Sequence, residues 1–136
     1  MLRRAAIAAA LALPVAVTGC TATGSSSSSK FTGAEADVAK VVSDLSTAGK
    51  RKDAQKICTE ILSQQLVRQL SDAGTSCAAE MKKAIDDADD FNLDVQSVDV
   101  KGNKATAVVQ RGSDGPKATF SFVRESGGWR ATSFGG

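Results

Sequence analysis

Phe91-Asn92-Leu93-Asp94-Val95-Gln96-Ser97-Val98-Asp99-Val100 decides the fold, because here the hydrophobic period changes from that of a helix to that of a strand. Phe91, Leu93 and Val95 alternate with Asn92, Asp94 and Gln96, which puts the apolar set on one face of a strand. The alternation then slips by one residue to Val98 and Val100, so a β-bulge is expected near Gln96 and Ser97. Lys101-Gly102-Asn103-Lys104 reads as a hairpin turn. A second strand is expected from Ala105 to Arg111, and Gly112-Ser113-Asp114-Gly115-Pro116 makes a longer loop before a third strand, Ala118 to Arg124. Ser126-Gly127-Gly128 turns the chain into a fourth strand, with Trp129, Ala131 and Ser133 on one face and Arg130 and Thr132 on the other.

Upstream of Phe91 the pattern is helical. Thr32-Gly33-Ala34-Glu35 fits a capping box, Val38, Val41, Val42 and Leu45 follow at helical spacing, and Gly49 is the expected stop. A second helix opens at Asp53 with Ala54, Ile57, Cys58, Ile61 and Leu62 on one face. It runs on, with Ser63 as a candidate break, through Leu66 and Leu70 to Gly74. A third starts at Thr75 or Ser76 and carries Cys77, Met81, Ala84, Ile85 and Ala88 on one stripe. Three N-terminal helices followed by a four-stranded antiparallel meander make an α+β layout, with the helices covering one face of the sheet.

The remaining sequence gives an address. Arg3 and Arg4 precede an apolar run from Ala5 to Val17 that is broken by Pro14, shorter than the roughly 20 residues of a spanning helix and of the right length for a signal peptide. Val17-Thr18-Gly19-Cys20 resembles the bacterial lipobox, in which the cysteine after the cut carries a diacylglyceryl thioether; the competing reading is an ordinary secretory signal with an incidental cysteine. The expected division is a signal peptide over residues 1–19, a lipidated Cys20 with a Ser-rich tether over 20–30, and one α+β domain over 31–136. Losing Arg3 and Arg4 with the leader cancels the +2 formal charge of the 136-residue chain. A neutral chain offers no basic stripe, which argues against nucleic acid as a partner.

Three cysteines in an exported chain leave one over. With Cys20 lipidated, Cys58 and Cys77 form the expected disulfide, brought together by the turn at Gly74. A reactive thiol is the alternative, but it wants a histidine or other cationic partner, and the sequence has no His. Two cysteines without His are also too few ligands for a metal site.

Taken with the lipobox and the serine tether, Asp53-Ala54, Ile57-Cys58, Gly74-Thr75-Ser76-Cys77, Val98 to Ala105 and Phe122-Val123-Arg124-Glu125-Ser126-Gly127-Gly128-Trp129-Arg130 resemble small NTF2-like bacterial lipoproteins. That resemblance implies a bent sheet wrapped round the helices as a cone whose mouth can hold a small molecule. Many members are non-catalytic, and pairing through the sheet implies a homodimer. This chain departs from the longer members in lacking an early strand between its first helices and its third.

Phe91, Phe120, Phe122 and Trp129 hold most of the aromatic surface and are the candidate ligand-binding set, against a plain core role. The chain has neither His nor Tyr, so it lacks the commonest general base and a phenol for an oxyanion, and no catalytic residue is assigned. Asp94 and Asp99 are the acids on strands that could face a pocket. Asp86-Asp87-Ala88-Asp89-Asp90 lacks the spacing and glycine of a calcium loop and reads as a helix end. Lys101, Lys104, Lys117 and Arg111 make a basic edge, solvated or facing an anionic envelope polymer. The expectation is a lipid-anchored module on the extracytoplasmic face of a bacterial membrane. It binds a small apolar ligand or an envelope protein, without cofactor or catalysis. The alternatives are a small isomerase or dehydratase with a carboxylate base near Trp129, and a structural envelope protein docking through an apolar sheet face.

Overall fold

The computed structural model describes residues 30–88 and 90–135. The expected leader, Cys20 and the tether serines fall within residues 1–29, outside the described residues. The described chain is α+β, with four helices and one four-stranded antiparallel sheet. In order these are α1 (Gly33–Lys50), α2 (Ala54–Lys56) running into a single π-turn (Ile57–Ile61), α3 (Gln64–Asp72) and α4 (Cys77–Asp87). The strands β1 (Leu93–Lys101), β2 (Lys104–Arg111), β3 (Lys117–Glu125) and β4 (Gly128–Phe134) follow as a meander.

The bulge expected in β1 is present. Val95 pairs with Val109 and Ser97 with Val108, so Gln96 is the extra residue, and Val98 and Val100 return to the face of Val95 opposite Ala107 and Ala105. The β1–β2 turn places Gly102 at φ +60, the first central position of a type II′ turn. Between β3 and β4 the turn is shorter than the sequence suggests. Glu125 pairs with Gly128, leaving Ser126 (φ 48) and Gly127 (φ 78) as a two-residue type I′ loop whose twist suits the strands.

A second bulge corrects the expected facing of β4. Phe122 pairs with Ala131 but Ser121 with Ser133, so Thr132 is extra. Trp129 and Ala131 point inward, whereas Ser133 joins Ser121 on the outer face. Phe134 turns inward against Phe120, ring centroids 5.2 Å apart and edge-on.

Three helices are expected and four form, because the second helical stretch breaks at Leu62-Ser63. The amide of Leu62 closes the π-turn on the Ile57 carbonyl, and the Ser63 amide leaves the helix to donate to the Ala131 carbonyl at 2.8 Å. This makes one isolated parallel bridge on the edge of β4. Ser63 Oγ then accepts from the Leu66 amide and caps α3, while the Glu125 carboxylate takes the Gln64 amide. Arg130 reaches from β4 to the Thr59 carbonyl at 2.7 Å, satisfying a π-turn acceptor.

α1 lies on the inner face of the sheet, burying Val38, Ala39, Val42, Leu45 and Ala48. Full burial of a valine is worth about 1.5 to 3 kcal/mol, so this stripe is a main source of stability. Two local expectations fail here for tertiary reasons. Thr32 is the N-cap, but its hydroxyl makes no capping bond, and the chain enters through Gly33 at φ +60. Gly49 does not stop the helix, which continues through Lys50. Its missing side chain seats the Phe91 ring, which a Cβ there would penetrate. The Ser46 hydroxyl donates to the Phe91 carbonyl and fixes the chain at that crossing.

Cys58 in the π-turn and Cys77 at the first residue of α4 form a disulfide, with Cα atoms 6.0 Å apart and a sequence separation of 19. α4 packs chiefly on α2, the π-turn and α3 rather than on the sheet. It buries only Cys77 and Ile85.

Candidate functional site

Because α4 hangs from the disulfide and its helical neighbours, a gap opens between it and the inner face of the sheet. The gap is a cavity of about 180 Å³. Its α4 wall is Met81, Ala84, Ile85 and Ala88, all four on the stripe that sequence periodicity assigns to core. Leu45 of α1 and Ile57 of the π-turn close one side. Leu93, Phe120 and Phe134 from the sheet close the other, with Phe91 between. Among the described residues, the charged side chains on its lining are Asp90 and Arg111. A cavity of this size accepts a benzene-sized molecule, since about 150 Å³ lined by aliphatic and aromatic groups suffices.

The four candidate aromatics separate. Phe91 and Phe120 meet at the cavity. Phe122 is buried in mid-sheet between Ala105 and Ala131 and does not line it. Trp129 is buried under Arg124, whose guanidinium carbon lies 4.8 Å from the ring centroid, a cation–π contact worth about 0.5 to 1 kcal/mol at an exposed site. Its buried Nε1–H has no hydrogen-bond partner among the described residues. Phe134 joins the cavity although the plain alternation of β4 points it elsewhere. The signal for it was a lone aromatic after Thr132-Ser133, which the β4 bulge turns inward.

The chain matches no known family model, no curated protein and no solved structure. Its site is therefore read from its own chemistry.

Asp94 and Asp99 lie on the outer face of β1, away from the cavity. Asp94 accepts from Gln96 Nε2 at 2.6 Å, and Asp99 lies 3.6 Å from Lys101 Nζ. No described Asp or Glu is buried; the buried polar residues are Ser46 and Ser63. The acidic run sits at the end of α4, which stops at Asp87, and Asp90 Oδ1 takes the Asn92 amide at 2.8 Å. No group of three metal-ligating side chains occurs among the described residues. The basic edge also divides. Lys101 and Lys104 flank the first hairpin on the outer face, whereas Arg111 stands at the cavity.

The outer face holds a larger hollow of about 560 Å³ between Asp99, Lys101, Lys104, Thr106, Ser121 and Thr132. It is broad and open, and Ala105, Phe122 and Val123 also line it among the hydroxyls and charges. So open a hollow covers little of a small ligand, and size alone does not make it the better site. Val108 and Val123 are isolated among Thr106, Thr119, Ser121 and Ser133, so that face presents no continuous apolar patch.

Proposed function

We propose that this chain is an extracytoplasmic lipoprotein, held at a bacterial membrane through lipid on Cys20, whose domain over residues 31–136 is an NTF2-like cone that binds a small apolar ligand without turning it over. One observation carries the binding: a partly open, largely apolar cavity of about 180 Å³ between α4 and the sheet, with Phe91, Phe120 and Phe134 together on its wall. A fold under no functional demand closes such a gap, because interiors pack to crystal density and unfilled volume is destabilising.

The cone reading is supported by α1 on the inner face and by bulges at Gln96 and Thr132, which bend the strands carrying them. The single bridge at Leu62 stands where longer members have a strand. The anchor rests on the lipobox, and two or more acyl chains hold a protein stably where one holds it marginally. No helix of the described residues is long and apolar enough to cross a membrane. The non-catalytic reading rests on a sequence without His or Tyr.

Native mass spectrometry of the chain purified from a bacterial envelope tests the binding. A co-purifying small mass that leaves on denaturation supports it, and a bare protein mass contradicts it. Cys20→Ala tests the anchor. The variant is expected in the soluble fraction without a lipid mass, and retention on membranes overturns that part.

A further inference from the structure

Among the described residues, the cavity has one acid and one base at its lining and otherwise apolar walls. Asp90 and Arg111 do not pair with each other, and neither is in an ion pair among the described residues. The Arg111 backbone amide is engaged by the Pro116 carbonyl, but its guanidinium has no partner there. Asp90 uses Oδ1 to hold the Asn92 amide, which fixes the carboxylate in place. Its Oδ2 accepts no hydrogen bond from the described residues and lies over Gly112, where a Cβ would meet it at 3.0 Å. Gly112, at φ +66, has no side chain to crowd this carboxylate.

A purely apolar ligand leaves both charges unused, and a simple anion or cation uses one. We infer that the cavity takes a zwitterion with an apolar body, a free amino acid of the leucine, methionine or phenylalanine kind. Its side chain enters between Ile85 and Phe120, its carboxylate faces Arg111 and its ammonium faces Asp90. This rests on the cavity being a binding site. The volume suits one such side chain and no more, since about 150 Å³ holds a benzene ring. A guanidinium presents a planar fork that matches a carboxylate with two parallel hydrogen bonds. Asp86 and Asp87 are exposed on the last turn of α4, so the field on that side of the mouth also favours the ammonium. Hydrogen bonds to charged groups are the stronger class, which makes each end of the ligand a determinant of selectivity.

The test uses the purified full chain and four probes that share one apolar body. Leucine carries both charges, isocaproate only the carboxylate, isoamylamine only the ammonium, and isoamyl alcohol neither. Ligand-detected NMR reads the affinities. Leucine is expected to bind about tenfold more tightly than either singly charged probe. Arg111→Gln is expected to remove its advantage over isoamylamine. Asp90→Asn, which keeps an acceptor for the Asn92 amide, is expected to remove its advantage over isocaproate. If all four probes bind alike, or isoamyl alcohol binds best, the zwitterion assignment is overturned and the apolar cavity stands. If none binds, the cavity reading falls as well. The probe ranking on the unsubstituted chain decides the matter even if a variant fails to fold.

Discussion

α1 and α4 face the same side of one sheet, yet one is fitted to it and the other stands away. α1 buries seven of its 18 residues, and where it crosses Phe91 the packing is so close that only a glycine fits. α4 buries two of its 11, and a cavity of about 180 Å³ separates it from Phe120 and Phe134. α1 is held by apolar contact along its length, whereas α4 is held at its first residue by a disulfide and along one flank by other helices. The contrast separates a tightly packed side of the molecule from a loosely packed one. The fold rests on the α1 side, which leaves the α4 side free to keep a gap that packing alone disfavours.

The largest effect that sharpens this contrast comes from the disulfide. Replacing Cys58 and Cys77 together by serine is expected to lower unfolding free energy by about 3 kcal/mol in the loop-entropy model. Hydrogen exchange should rise first in α4 while α1 stays protected. Equal loss of protection in both helices would break the contrast. Next comes Gly49→Ala. Alanine is favoured in helices by about 1 kcal/mol, but its Cβ collides with the Phe91 ring, and overpacking costs about 1 to 3 kcal/mol. A net loss of up to about 2 kcal/mol in denaturant unfolding is expected. A stabilised variant would show that the α1 side is looser than described.

Much of this was legible along the chain. The change of period at Phe91, the bulge after Val95 and the Lys101–Lys104 hairpin are local events, written in alternation and turn chemistry. The pairing of Cys58 with Cys77 followed from cysteine arithmetic. What local reading missed depends on distant partners. Gly49 looks like a helix stop until Phe91, far along the chain, is seen lying on it. Ser63 is legible as a candidate break, but the break is fixed by its amide bonding to Ala131, and no periodicity within the helix reveals that partner. The cavity was half visible for the same reason. Phe91 and Phe120 were on the candidate list, but the Thr132 bulge exchanges Ser133 for Phe134 on the inner face, and Arg111 looked like one more solvated base.

Two smaller effects probe that break and that cavity. Ser63→Ala removes the α3 cap, and a loss of about 1 kcal/mol is expected on thermal or denaturant unfolding. No change would mean that the Glu125 carboxylate caps the helix alone. Ala88→Leu adds carbons at the open side, where space exists. Its expected effect on stability is within about 0.5 kcal/mol, as for substitutions that meet no tight packing. It should nevertheless block small-ligand binding. A large destabilisation would show that the gap is already filled.

The central claim is that the α4 side is a site and the α1 side is core. Methyl NMR during titration of the full chain with benzene tests it directly. Shifts confined to Met81, Ile85, Ile57 and Leu45, with Val38 and Val42 unmoved, are the expected result. Uniform small shifts, or none at any of these methyl groups, would contradict it.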